Sequence, residues 1–287
     1  MTTNALNNTA TVFDVDNLRL DGNTLSTTDT NGALNLEPDG TGQISSTKTL
    51  VGNNVGMLLS NADNTNTASS ASLEIATGGT SGGDPYLTVG IDSTRAYAWG
   101  IDNTASDVLV ETTGAATSTD PSSGTILRQM TSSGEQTMPL QPAFAAFLGT
   151  NDNDVTGNAT SYTLGSGNAL TEIFDQGGDF VTTGTFTAPV TGRYVLSAGF
   201  LIQQASTGTD CDFRISTSNR GWRGWQLDPS SVNVSGSLGF NMTVLADMDA
   251  GDTAVTGITV SGVGADTVDV FGGPTSPRTW FSGYLEC

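Results

Sequence analysis

The sequence contains no histidine, and its 9 basic residues stand against 29 acidic ones. Histidine is the commonest general base, the usual partner of a nucleophilic side chain and the commonest metal ligand, so its absence removes the most frequent kinds of enzyme site. The formal net charge is −20. A chain of this charge repels phosphate, so we expect it to bind neither nucleic acid nor an anionic membrane surface.

Cysteine and long apolar runs are also scarce. Cys211 and Cys287 are the two cysteines, too few for a disulfide framework. We expect free thiols, as in proteins assembled inside a cell, although a pairing between the two stays open. No apolar run approaches the ~20 residues of a membrane-spanning helix, and the first ten residues lack the features of a secretory signal. The chain is therefore expected to be made and assembled in a cytoplasm, without membrane insertion.

Glycine and small polar residues fill much of the sequence. There are 36 glycines among 287 residues, accompanied by many threonines, serines, asparagines and aspartates. Serine, asparagine and aspartate compete for backbone hydrogen bonds, and glycine loses too much entropy in a helix, so this composition favours turns and extended chain. The sequence therefore predicts an all-β protein with short strands and many turns.

The N-terminal part has apolar alternations too short to form a core of their own. The first dozen residues are polar, and Phe13 and Val15 form a first short alternation; residues 1–16 are predicted to be an arm that orders only against a partner. In residues 17–56 the alternations are Leu18 with Leu20 and Leu34 with Leu36, shorter than a typical strand of ~5–6 residues. One chain built this way cannot bury a core, whereas three chains around one axis can. The pattern predicts an intertwined homotrimeric β stalk.

Residues 57–137 continue the stalk in a similar style. The predicted strands carry three sets of alternating apolar residues: Leu73 and Ile75; Leu87, Val89 and Ile91; Val108 and Val110. Pro139 and Pro142 are expected to hold the chain extended at a boundary, because proline cannot donate to a sheet.

Residues 138–287 have the composition of an independent domain. Most of the phenylalanines lie here, and two segments alternate over long stretches. The inward-facing positions are predicted to be Tyr194, Leu196, Ala198, Phe200 and Ile202 in one segment, and Leu238, Phe240, Met242 and Val244 in the other. This segment is long enough and apolar enough to bury the core of a β-sandwich.

Four motifs in this domain occur in the order found in a known family. They are residues 142–146 (PAFAA), 186–194 (FTAPVTGRY), 250–255 (AGDTAV) and 279–285 (TWFSGYL). With them, residues 138–287 resemble the tumour-necrosis-factor-like jelly roll, in the version found as the globular head of the first complement component. Insertions such as residues 230–236 depart from the family. Members are tight three-fold trimers, so the resemblance implies a jelly-roll head and a homotrimer.

A second resemblance covers the segment before the head. Residues 23–26 (NTLS), 31–42 (NGALNLEPDGTG) and 97–103 (YAWGIDN) resemble segments of bacteriophage tail-fibre proteins. The resemblance implies a structural subunit of a virion, anchored to another virion protein through its N-terminal arm.

Candidate chemistry is sparse. Asp210 and Asp212 flank Cys211, and residues 151–154 (NDND) form an oxygen-rich loop. Oxygen ligands suit Ca²⁺, and some members of the jelly-roll family hold it, but neither cluster has the spacing of a calcium loop. We expect solvated loops, no cofactor and no metal. No pair of carboxylates stands out for glycan cleavage, and no base is present to activate a cysteine, so we expect no enzyme activity.

The most distinctive local cluster consists of Arg220, Trp222, Arg223 and Trp225. On one regular strand two residues three apart point to opposite faces, so the two tryptophans are not expected to share the core. An exposed tryptophan beside arginine suits a sugar ring or an anionic sugar, which makes the cluster a candidate receptor site. The alternative interpretation places one tryptophan in the core and the other in a trimer interface.

These observations together predict a trimeric tail-fibre subunit on the virion surface that binds a host glycan or protein. A head fibre or capsid decoration protein has the same build and stays an alternative. A non-classically secreted bacterial adhesin is a more distant alternative, against which the missing secretory signal argues.

Overall fold

The computed structural model describes residues 18–21, 24–27, 33–34, 36, 44–45, 56–91, 94–114, 120–232 and 236–286. The predicted arm, residues 1–16, lies outside these ranges, as do most of the predicted fibre repeat at 17–56 and Cys287. The chain divides into two compact units, residues 1–74 and 75–287.

The first unit contains one hairpin among its described residues. β1 (Leu18–Asp21) and β2 (Thr24–Thr27) pair antiparallel, with Asp21 opposite Thr24. The prediction of a strand around Leu73 and Ile75 is wrong. Residues 56–85 contain no strand, and both side chains are exposed. An extended segment with two alternating apolar residues forms a strand only where a neighbouring strand accepts and donates its backbone hydrogen bonds, and the described chain provides none there.

The second unit begins with a five-stranded antiparallel sheet in chain order. Its strands are β3 (Tyr86–Ile91), β4 (Arg95–Asp102), β5 (Val108–Gly114), β6 (Thr125–Met130) and β7 (Gln136–Thr137). Burial alternates strictly along β4, so one face of the sheet is covered by the chain and the other is open. After β7 the chain turns instead of running extended, since the N–H of Gln141 donates to the carbonyl of Met138 at 3.0 Å and Pro139 lies inside that turn.

Thirteen strands follow and form two sheets. They are β8 (Ala143–Phe147), β9 (Asp152–Thr156), β10 (Ser161–Thr163), β11 (Thr171–Gln176), β12 (Phe180–Val181), β13 (Thr185–Thr187), β14 (Gly192–Gln203), β15 (Asp210–Thr217), β16 (Gly221–Leu227), β17 (Ser237–Met248), β18 (Thr253–Ser261), β19 (Val268–Val270) and β20 (Trp280–Glu286). A short 3₁₀ turn, Pro229–Val232, lies between β16 and β17.

The order of these strands is that of a jelly roll. The β14 sheet runs β11, β8, β20, β14, with β17 on the other side of β14 and with β19 and β9 extending its far end. The β18 sheet runs β12, β13, β18, β15, β16, with β10 also paired to β18. The chain passes repeatedly from one sheet to the other. Strands far apart in sequence therefore become neighbours, such as β8 and β20 in one sheet and β13 and β18 in the other. This arrangement confirms the predicted all-β fold with a C-terminal jelly-roll sandwich.

The core lies between the two sheets. All five predicted inward residues of β14, from Tyr194 to Ile202, are buried, and those of β17 are buried or packed against the core. The ring of Phe144 lies 4.7 Å from those of Phe180 and Phe186 and 5.0 Å from that of Phe281, measured between centroids. A closed aromatic core of this kind holds both sheets together.

Candidate functional site

The predicted receptor cluster lies on the edge hairpin of the β18 sheet, formed by β15 and β16. The regular strand on which the expectation for Trp222 and Trp225 rests is interrupted, because the register shifts between them. Trp222 lies opposite Ile215, whereas Trp225 lies opposite Phe213, and both partners point into the core. The extra residue is Gly224, whose Cα approaches Met242 so closely that an added Cβ would come within 2.6 Å of its sulfur. A bulge of this kind restores the phase of a strand, so Trp222 takes the register position opposite the buried Ile215.

The two arginines of the cluster contact different carboxylates. Trp222 is half-buried and packs against the hydrophobic core. The guanidinium of Arg220 contacts Asp247 at 3.0 Å, whereas that of Arg223 contacts Asp212 at 3.5 Å. Both arginines are exposed and each lies beside a carboxylate, and a receptor role for the cluster stays a prediction.

The outer face of the β18 sheet is polar around Arg223. One cross-strand row consists of Ser161, Thr259, Asp212 and Gln226. Arg214 lies in the next outward row, opposite Arg223, and donates to the hydroxyls of Ser161 and Thr259. Hydroxyl, amide, carboxylate and guanidinium groups thus cover the centre of this face, which suits a surface in contact with water or a polar ligand.

The outer face of the β14 sheet differs in character. A cross-strand row of Ala143, Tyr284, Val195 and Leu245 is apolar. Tyr284 and Leu245 are each about half exposed, at 51% and 52%. In a second row, the indole of Trp280 lies over Gly199, where an added Cβ would come within 2.6 Å of its nitrogen. The apolar row is flanked by a hydroxyl row of Ser197, Thr243 and Ser282 and by a charged row of Arg193, Asp247 and Glu286.

The candidate calcium residues have structural partners instead. Asp152 is buried and accepts hydrogen bonds from the hydroxyl of Tyr162 and from the backbone N–H of Asn168, the latter at 2.8 Å. Burial and this carboxylate raise the pKa of Tyr162. Asp210 accepts a hydrogen bond from the amide of Gln226 at 3.2 Å. Within the described residues, no three cysteine or acidic side chains lie close enough together to hold a metal ion.

Cys211 is a free, buried thiol on the inner face of β15. Burial, together with the carboxylates of Asp210 and Asp212, raises its pKa to about 12. A thiol with this pKa stays protonated at neutral pH and is a poor nucleophile, so its position indicates packing.

The open face of the five-stranded sheet is the feature that sequence reasoning missed. Trp99 lies on this face, 53% exposed. Beside it Arg128 and Glu111 form an ion pair at 3.5 Å across β5 and β6. The alternation of Leu87, Val89 and Ile91 correctly placed a strand, but it did not indicate that the apolar side would stay uncovered.

Comparisons with known proteins leave family and function open. No protein-family model and no curated protein matches the sequence. The globular domain of zebrafish complement 1qA protein is similar over 51% of this chain and 98% of that chain, at 19% identity and a TM-score of 0.33. Murine APRIL is similar over 51% of this chain and 99% of its own, at 9% identity and a TM-score of 0.35. These values are too low to argue from, so the strand order alone defines a protein with a jelly-roll domain. In the described part of the chain, no helix has the length and hydropathy to cross a membrane.

Proposed function

We propose that the chain is a structural subunit of a bacteriophage particle, a homotrimeric fibre or spike that presents its jelly-roll head to the host surface. The observation that carries the proposal is the contrast between two parts of one chain. The head closes its own core, whereas the residues before it expose apolar side chains from Met57 to Ile101 that need other copies to cover them.

The two outer faces of the head fit this arrangement. In a trimer the apolar row of Tyr284, Val195 and Leu245 would face the other copies, and the polar face with Arg223 would face the medium. Three heads on one fibre would bind a surface with avidity, so a shallow polar site of low affinity would be adequate for adhesion.

Light scattering and electron microscopy test the structural part. Purified protein should have three times the chain mass of 29.4 kDa. Gold-labelled antibody against residues 138–287 should mark the free ends of fibres on intact particles. A monomer at micromolar concentration, or particles that contain the chain without label on any fibre, would contradict the proposal.

A charge-matched pair of variants tests the adhesive part. Arg223→Ala removes an exposed guanidinium from the polar face of the head and should reduce adsorption to bacterial cells several-fold. Arg278→Ala removes an exposed arginine from the loop before β20 and should adsorb like the wild type. Equal adsorption by all three proteins would place the receptor contact elsewhere.

A further inference from the structure

Six large apolar side chains form a continuous open face on β3 and β4. Register pairs Leu87 with Trp99 and Val89 with Tyr97, and Ile91 and Ile101 lie at the two ends of the same face. Their exposed fractions range from 38% for Ile101 to 70% for Ile91. We call these six residues the open face.

The area of the open face is large for a single chain. Six such side chains, each roughly half exposed, present on the order of 600 Å² of apolar surface. That is at the upper end of what monomeric proteins expose and close to the ~800 Å² that each partner contributes to a specific interface. The opposite face needs no partner, because Ala96 and Ala98 are fully buried within their own chain.

The charge of the chain indicates which partner covers the open face. The chain carries a net charge of −20, so two copies repel each other over most of their surfaces. Among the described residues, the charged side chains on the face itself are Arg95, Glu111 and Arg128, with a sum of +1, and Asp107 lies beside Ile101 at its end. Another copy of this acidic chain therefore meets less repulsion here than over the rest of its surface.

The surface beside the open face also has a shape that suits a partner side chain. A depression of about 110 Å³ is lined by residues that include Trp99, Glu111, Arg128 and Gln136. Its walls combine an aromatic ring with a half-exposed ion pair. An apolar side chain from another copy would fill the depression and leave the ion pair at the rim of the contact, where it fixes the alignment of the copies.

We infer that the open face is the surface through which copies of this chain contact one another, and that the Glu111–Arg128 pair sets their alignment. The inference extends the proposed function. The number of copies that meet, three, rests on that proposal. The sheet is thereby assigned to the shaft of the assembly, because its apolar side chains become buried only when copies contact one another.

Val89→Asp tests the inference, with Val181→Asp as its control. Both valines lie on strands and are similarly exposed, at 65% and 53%, but Val181 is on the edge of the head's β18 sheet. Val89→Asp places one more negative charge per copy on the open face, so light scattering at micromolar concentration should show single chains. Val181→Asp should assemble like the wild type.

Thiol labelling gives a measurement that does not depend on a disruptive charge. In a Cys287→Ser background, Val89→Cys should react with a thiol reagent at least about tenfold more slowly than Val181→Cys, and at the same rate once urea separates the chains. Cys211 is buried and provides the internal unreactive reference.

The outcomes separate this inference from the proposed function. A trimer in which Val89→Cys reacts as fast as Val181→Cys overturns the inference and leaves the fibre proposal standing. Protection of Val89→Cys in an assembly that is not a trimer supports the inference and contradicts the three-copy proposal. Protection that appears only after bacterial polysaccharide is added overturns the inference in favour of a glycan site on the open face.

Discussion

The jelly roll and the five-stranded sheet are both antiparallel, but they manage their apolar side chains in opposite ways. In the jelly roll, the inward residues of β14 and β17 meet those of the β18 sheet, and the rings of Phe144, Phe180 and Phe186 are buried. In the five-stranded sheet, one face is covered by the chain and the face with Val89 and Trp99 is not. Two packed layers are therefore expected to stand alone, whereas one layer with an open face is expected to need a partner.

Expressing the two regions separately should give the largest difference in folding between them. Expressed alone, residues 138–287 should be soluble and unfold in one cooperative transition, because they contain both layers of the sandwich. Residues 75–137 expressed alone should aggregate or stay unfolded at the same concentration, because their open face lacks a partner. Thermal melting followed by circular dichroism measures both. Cooperative, monomeric folding of residues 75–137 would show that the sheet is self-sufficient.

A single core substitution should have the next largest effect. Phe144→Ala removes a ring that stacks on two neighbours at 4.7 Å, so we expect a loss of about 3–5 kcal/mol in the free energy of unfolding of the head. Val181→Ala, at a half-exposed position of the same domain, should change it by less than about 0.5 kcal/mol. Urea unfolding of the full chain gives both values, and similar losses for the two variants would argue against a tightly packed core.

The smallest expected effect concerns alkaline pH. The pKa of Cys211 is raised to about 12 in the folded protein, whereas an unperturbed cysteine has a pKa of about 8.5. Between these values the unfolded chain releases a proton that the folded chain keeps, so the stability contribution present below pH 8.5 is lost as pH rises. The urea midpoint of the wild type should therefore fall between pH 8 and pH 9.5.

Cys211→Ala is the matching variant for this pH effect. It should start from a lower urea midpoint at pH 8, because it loses a buried atom, but fall less steeply with pH. The upper limit of pH 9.5 keeps the buried tyrosines largely out of the measurement, since an unperturbed tyrosine has a pKa of about 10. Parallel slopes for wild type and variant would show that Cys211 does not titrate differently in the two states.

Regular alternation made much of the head predictable from sequence. The inward positions of β14 and β17 followed from a period of two sustained over nine residues in Tyr194–Ile202 and seven in Leu238–Val244. The same logic did not foresee the bulge between Trp222 and Trp225, where one extra residue at Gly224 shifts the register, because a local sequence pattern does not indicate a bulge. It failed again at Leu73, because the described residues 56–85 contain no strand.

The surfaces of the molecule were less predictable than its core. Nothing in the local pattern indicated that Asp152 would be buried against Tyr162, because that contact depends on how distant loops meet. The sequence did not predict the open face for a similar reason. Alternation shows which residues share a side of a strand, whereas the chain fold decides whether that side is covered, as at Ala96, or left open, as at Val89.

The position of β20 has a consequence for how the head forms. This strand comes last in the sandwich but lies in the middle of its sheet, between β8 and β14. During synthesis β8 and β14 must therefore wait, unpaired along those edges, until residues 280–286 leave the ribosome. Such long-range pairing slows folding and leaves strand edges exposed to neighbouring nascent chains. Closure of the head thus follows the synthesis of all its other strands and of the residues of the five-stranded sheet.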